Sequence, residues 1–290
     1  MAERTWVIVV HGGAKTIAAE RADANRAGCR QAADAGARVL RTGGTAVEAA
    51  RVAIRVLEDD PTFNAGTGSV YNVAGKVEMD AAIMDGATLA IGAVAGVRRL
   101  RNPIDAAHAM LDAPPILLIG EGAERFAADH GLALCDWAAP PGEDHEHDTV
   151  GCVALDIAGH LAAATSTGGL EGTLPGRVGD SPLPGCGFYA EDLIGGVSLS
   201  GDGEAIARTL LAGRIMRALE GSTAGVAATV ILAPLSRVGG EAGAIVLDSA
   251  GRIGVSHTSD HFALALAASD IDKIAFGIHA DELKDQLDHG

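Results

Sequence analysis

A threonine with a freed backbone nitrogen carries a hydroxyl nucleophile and an amine base on one residue. The segment His147-Asp148-Thr149-Val150-Gly151-Cys152 places a threonine where such a cut is plausible. Before it, residues 138–148 read AAPPGEDHEHD: adjacent prolines, a glycine, acidic charge and no apolar periodicity, the composition of a linker. After it, residues 150–155 read as a buried strand. Scission between Asp148 and Thr149 would expose an α-amine titrating near ~7.7 to 8, against ~10.4 for a lysine ammonium. Such an amine accepts a hydroxyl proton close to neutral pH.

Two more hydroxyl-bearing segments follow, Ala164-Thr165-Ser166-Thr167-Gly168-Gly169 and Ser198-Leu199-Ser200-Gly201-Asp202-Gly203-Glu204, each at an expected strand edge. A hydroxyl at such an edge can simply satisfy a turn. Taken with Thr149, the segments also supply what an amide hydrolase needs: a nucleophile, a base, and donors aimed at a carbonyl oxygen as it becomes negative. Gly201 offers an unobstructed N–H beside the Ser200 hydroxyl. Between these segments lies Gly176-Arg177-Val178-Gly179-Asp180-Ser181-Pro182. Its opposite charges form either a local Arg177–Asp180 ion pair or a clamp for a zwitterion, with guanidinium on a carboxylate and carboxylate on an ammonium.

The elements that must position these groups alternate along the chain. Residues 5–10 read as a buried first strand ended by a His11-Gly12-Gly13-Ala14 turn, and 22–40 as an Ala-rich helix. Thr45-Ala46-Val47-Glu48 has the form of a capping box for a helix running toward Asp59, stopped by Asp60-Pro61. Residues 76–84 and 89–97 suggest strands, and Asn102-Pro103 a cap and first-turn proline for a helix through Met110. Residues 150–155 and 160–165 pair around Ala158-Gly159, 203–219 read as one helix, and 242–247 with 252–257 form a second hairpin. The pattern favours a layered α/β arrangement, without fixing strand order.

Composition narrows the function further. At 290 residues and 48% hydrophobic, the chain can bury a substantial core; with 3% aromatic residues and 39 glycines, that core is aliphatic and finely packed. A formal net charge of −16 opposes contact with nucleic acid or anionic membranes. Cys29, Cys135, Cys152 and Cys186 show no Cys-x-x-Cys spacing and read as reduced thiols. The apolar run 6–10 falls far short of the ~20 residues that span a bilayer, and a cytoplasmic location is expected. His145-Glu146-His147-Asp148 lacks a third metal ligand at convincing spacing and reads as solvated linker.

Asn64-Ala-Gly-Thr-Gly-Ser69, Asp80-Ala-Ala-Ile-Met-Asp85-Gly86, His147-Asp-Thr-Val-Gly151, Ala164-Thr-Ser-Thr-Gly-Gly169, Gly176-Arg-Val-Gly-Asp-Ser-Pro182 and Gly201-Asp-Gly-Glu204 occur in this order across nearly the whole chain. Together they resemble the isoaspartyl peptidase/L-asparaginase family, the plant-type asparaginases. The resemblance implies an N-terminal nucleophile hydrolase with an αββα sandwich, one domain of residues 1–290 that cuts itself into 1–148 and 149–290. It implies Thr149 as nucleophile and, once freed, as base, with Thr167 in support and Ser200 and Gly201 facing the oxyanion. Arg177 and Asp180 become the clamp for the substrate's α-carboxylate and α-amine, with the Gly203 backbone helping to hold the amine and Asn64 as a polar neighbour. A structural sodium ion is implied along Leu57, Glu58, Asp60, Phe63, Ala65 and Thr67, as is a homodimer of cut protomers; no organic cofactor is expected. One departure is Ser200 where the family usually has threonine: the donor is kept and the rotamer-restricting methyl lost.

The activity so implied is hydrolysis of β-aspartyl dipeptides and L-asparagine to L-aspartate. Its alternatives are a glycosylasparaginase-like enzyme, a threonine endopeptidase, and a noncatalytic protein that binds an amino acid through Arg177 and Asp180.

Overall fold

A computed structural model describes residues 5–135 and 149–287. The expected linker, with Asp148 and His145-Glu146-His147, lies outside them.

The first strand, β1 (Val7–Lys15), does not stop at the glycines. It continues through them as a bulge, with its register against a later strand shifting between His11 and Ala14. Paired glycines inside a strand can mark a bulge as readily as a turn, and here the ladder resumes beyond them. Helices α1 (Ala22–Arg41) and α2 (Ala46–Asp59) follow. Thr45 caps α2 by accepting from the Glu48 N–H at 3.2 Å, but the Glu48 carboxylate turns to Arg51, so only half of the expected capping box forms.

Next come β2 (Met79–Asp85), β3 (Ile91–Val97), α3 (Pro103–Ala109), β4 (Leu117–Ile119) and α4 (Gly120–Asp129). Asn102 does not cap α3 with its side chain; its amide donates to Asp59 instead. After the linker, β5 (Thr149–Leu155) and β6 (Leu161–Thr167) form the expected hairpin, and β7 (Phe188–Glu191) and β8 (Gly195–Gly201) a second one.

The single helix expected over 203–219 is two, α5 (Gly203–Thr209) and α6 (Leu211–Leu219), broken at Leu210 with φ 51° and ψ 50°. No glycine or proline marks that break, so apolar periodicity runs across it unnoticed. Helices α7 (Ala224–Ala228) and α8 (Leu232–Val238) precede β9 (Ala242–Asp248), β10 (Ile253–His257), β11 (His261–Ala268) and β12 (Ala275–Gly277).

Among the described residues the strands form an eight-stranded sheet ordered β12-β11-β1-β5-β6-β2-β3-β4 and a four-stranded sheet ordered β10-β9-β8-β7. Pairing is antiparallel except between β3 and β4. Alternation along each strand splits the core into three layers. Val150, Cys152 and Ala154 of β5 face α1 and α2, whereas Val153 and Leu155 face Ile245 and Leu247 of the second sheet. Val197 and Leu199 of β8 face away toward α5–α8. Helices therefore cover both outer faces, and the layers read α, β, β, α.

The same alternation positions the chemistry. Thr149 and Gly151 share a face with Val153, and their partners across the ladder are Thr167 and Thr165. Ser198 and Ser200 share the inward face of β8. The hydroxyls thus collect at one end of the layer between the sheets.

Candidate active site

Thr149 opens β5, between β1 and β6 in the large sheet, and is only 6% exposed. Its N–H donates to Ser200 Oγ at 3.2 Å, and its own Oγ1 lies 2.9 Å from Ser181 Oγ. Ser200 Oγ also accepts the Ala14 N–H at 3.1 Å. A serine hydroxyl has two lone pairs and one proton to give. With both lone pairs engaged by N–H donors, the O–H is what Ser200 has left to offer.

The β1 bulge therefore has a role: it carries the chain to Ala14, whose N–H reaches the end of β8. Gly201 follows with φ 141°, and a Cβ there would lie 2.2 Å from the Glu241 carbonyl, so only glycine fits.

Ser181 was not singled out from sequence, although it neighbours Asp180 in a motif already marked for binding. It is fixed from below by Thr165, whose Oγ1 donates to the Ser181 carbonyl at 2.6 Å. Thr167 stands directly across the ladder from Thr149, where Cβ atoms of paired residues sit roughly 5 Å apart. Its Oγ1 accepts the Gly169 N–H at 3.1 Å. Asn64 is fully buried under that turn: its amide donates to the Gly169 carbonyl at 2.7 Å, its Oδ1 accepts from Val70, and its carbonyl accepts from Gly168. It braces the turn carrying Thr167.

Arg177 does not bond Asp180. Its Nε and Nη2 donate to the two oxygens of Glu204, at 2.9 and 2.7 Å, leaving Nη1 outside that fork. Asp180 is 2% exposed, and its Oδ2 finds no hydrogen-bond partner among the described residues. Burial pushes its carboxyl up to about 7, only partly opposed by Arg177 and by backbone donors. A Cβ on Gly203 would lie 2.9 Å from both Arg177 Nη2 and Asp180 Oδ1, so guanidinium and carboxyl converge on one point that only a glycine leaves open. A buried acid with an unsatisfied oxygen beside a guanidinium suits an incoming cation and anion held together. The loop bearing both is tied down by Glu78, whose Oε2 accepts the Gly176 N–H at 2.7 Å. Below it Asp80, buried and paired across the ladder with Thr167, is likewise pushed up to about 7 by burial.

Residues 57–67 bring several backbone carbonyls close together, alongside the polar side chains of Glu58, Asp59, Asp60, Thr62, Asn64 and Thr67. Cβ atoms on Gly66 and Gly68 would meet the carbonyl oxygens of Glu58 at 2.4 Å and of Phe63 and Pro61 at 2.1 and 2.8 Å. The Glu58 carboxyl accepts from Ser166 and from Ile104 N–H, and burial pushes it up to about 8. No group of His, Cys, Asp and Glu suited to a metal occurs among the described residues. Carbonyl oxygens gathered in this way are the kind of ligand a hard cation takes.

An αββα sandwich with a threonine opening a central strand, hydroxyls of the second sheet beside it, is the layout of an N-terminal nucleophile hydrolase. The chain belongs to the isoaspartyl peptidase/L-asparaginase family: a family model described as asparaginase matches residues 4–140 and 133–275. It is similar to the isoaspartyl peptidase/L-asparaginase of Danio rerio, 39% identical with 97% of this chain and 98% of the relative covered. The protein of the same description from Bos taurus is 42% identical over 90% and 92% of the two chains. The isoaspartyl peptidase of Escherichia coli (strain K12) is 37% identical over 88% and 90%. No helix among the described residues is long and apolar enough to cross a membrane.

Proposed function

We propose that this chain is an isoaspartyl peptidase/L-asparaginase that cuts itself between Asp148 and Thr149 and then hydrolyses β-aspartyl dipeptides and L-asparagine. The observation that carries this reading is the placement of Thr149, whose nitrogen and hydroxyl are each met by a serine hydroxyl, Ser200 and Ser181.

In maturation the Thr149 hydroxyl attacks the Asp148 carbonyl carbon and the C–N bond breaks, leaving an ester on Thr149 and a free α-amine. Water then hydrolyses the ester, giving fragments 1–148 and 149–290. In turnover the amine takes the hydroxyl proton as Thr149 Oγ1 attacks the side-chain carbonyl of the substrate. Ser200 O–H and Gly201 N–H stabilise the oxyanion, and the ammonium formed on Thr149 returns its proton to the departing amine. Water releases L-aspartate from the acyl-enzyme and restores the hydroxyl. Thr167 supports the nucleophile, and Asn64 holds its turn.

The substrate's α-carboxylate binds the Nη1 edge of Arg177, and its α-ammonium lies between Asp180 and the Gly203 backbone. An ammonium there meets the buried Asp180 carboxyl through Oδ1, the oxygen that faces Gly203, and draws that carboxyl toward its ionised form. Carbonyls of residues 57–67 would hold a sodium ion, which would supply fixed charge beside Asn64. The working form is a homodimer of cut protomers in the cytoplasm.

A substrate panel on fully cut protein tests the assignment. L-aspartate should be released from a β-aspartyl dipeptide and from asparagine faster than from an N-glycosylated asparagine. Faster release from the glycosylated compound would make the chain a glycosylasparaginase, and aspartate binding without product from any of the three would make it a binding protein.

A further inference from the structure

Outside the catalytic centre, three concavities among the described residues differ in electrostatic character. One, of about 790 Å³, is lined by Asp85, Asp112 and Asp156. Another, of about 470 Å³, mixes Arg30, Arg41 and Lys273 with Asp34 and Asp272, and there Arg41 pairs with Asp34. The third, of about 580 Å³, is lined by Arg208, Arg214 and Arg237 and by no aspartate or glutamate. In a chain of net charge −16, an acid-free concavity with three guanidinium groups runs against the composition.

These arginines differ from the others in what they hold. Arg51, Arg98, Arg177 and Arg252 each bond a carboxylate. Arg208, Arg214 and Arg237 are exposed and enter no ion pair among the described residues. Arg214 is nonetheless oriented: its Nε donates to the Thr209 carbonyl at 2.6 Å, and the residue lines the cavity.

The backbone that shapes the cavity is unusual as well. Thr209 ends α5, and Leu210, a non-glycine residue in the left-handed region, turns the chain into α6 so that Arg208 and Arg214 flank the same hollow. Residues held in that region persist where surrounding structure imposes them, and they concentrate at functional sites. Across the hollow, α8 brings Arg237, and Val230, Ala233 and Pro234 form an apolar wall. The volume lies in the range of small-molecule sites, and apolar walls with a few convergent polar groups are their usual lining.

We propose that the cavity between α5, α6 and α8 binds a small organic anion carrying two or more negative charges and an apolar body. Guanidinium forks recognise phosphate and carboxylate oxygens alike, so the shared chemistry is a polyanion, reached as a phosphorylated or a polycarboxylated metabolite. The site is separate from the Thr149 centre, and its occupancy does not depend on the hydrolytic reading.

Calorimetric titration of the purified protein at low ionic strength, with inorganic pyrophosphate in one arm and citrate in the other, tests the proposal. Saturable binding of at least one probe at one site per chain is expected, together with none of acetate, and the arm that binds tighter names the source. The Arg208→Ala/Arg237→Ala double variant should bind about tenfold or more weakly, the loss expected for removing charge-assisted hydrogen bonds, while hydrolysis is unchanged. A readout that needs no variant is phenylglyoxal modification mapped by mass spectrometry: the bound probe should shield Arg208, Arg214 and Arg237 and leave Arg125, exposed on α4 and outside the cavity, reactive. Failure of both probes to bind, equal binding by the double variant, or modification of the three arginines at the same rate with and without probe would overturn it.

Discussion

At the end of β5, Thr149 is placed by backbone ladders: its strand is paired on both sides, Thr167 faces it in register, and Ser200 is held by two backbone N–H donors. One loop away, Arg177 and Asp180 are placed by charge: Glu204 grips the guanidinium, Glu78 ties the loop, and Asp180 is buried with an unsatisfied oxygen. The first arrangement exists whether or not a substrate is present. The second, in the proposed function, is completed by a substrate that brings its own charges. Self-cutting, which uses the chain's own peptide bond, should need the first region alone, whereas turnover should need both.

The largest effect tests the first half of that contrast. Thr149→Ala should abolish both cutting and hydrolysis, a loss of about 10⁴-fold or more, read by gel and by aspartate release. Ser200→Ala should slow both processes by roughly 10² to 10³, the cost of one oxyanion donor. Asp180→Asn should separate the regions: cutting proceeds, while kcat/KM for a β-aspartyl dipeptide falls by roughly 10²-fold, as expected when one partner of a buried charged contact is lost.

The pH dependence follows from the same residue. In the proposed role Asp180 holds the ammonium in its ionised form, and its carboxyl is pushed up to about 7, so kcat/KM should rise with pH through that value. The free α-amine of Thr149 adds a second rise near ~8. A pH–rate profile of Asp180→Asn should keep only the upper inflection.

Stability should move the other way. The unfolded chain ionises this group near 3.8, so between that value and about 7 the folded state retains a proton that the unfolded state has lost. Stability from this residue is therefore present in acid and is lost as pH rises toward neutrality. Asp180→Asn should raise the Tm at pH 8 while depressing turnover. Ser200→Thr should give the smallest effect: the donor persists and the added methyl restricts its rotamer, so kcat changes by less than about tenfold.

Much of this site can be read from the sequence because its residues lie where strands end. Thr149 opens β5, Thr167 closes β6, and Ser200 with Gly201 closes β8, and alternation of apolar side chains announces such ends. The pairings between them are not legible. Arg177 bonds Glu204 rather than Asp180, because the partner is chosen by how the loop meets the start of α5, a contact 27 positions apart in sequence. Ser181 was missed for the same reason: its hydroxyl matters only once Thr165 has carried it to Thr149. In the scaffold, the glycines after His11 read as a terminator and are a bulge, and Leu210 breaks a helix with no local signal at all. Both outcomes are decided by tertiary contacts, the Ala14–Ser200 bond for one and the seating of α6 against β8 for the other.

The central claim is that Thr149 works only after its nitrogen is freed. Intact-mass measurement under denaturing conditions, taken on the same sample as a hydrolysis time course, tests this most directly. The account predicts two fragments, 1–148 and 149–290, with activity rising in step with their appearance. A chain that stays whole and hydrolyses β-aspartyl bonds at full rate would contradict it.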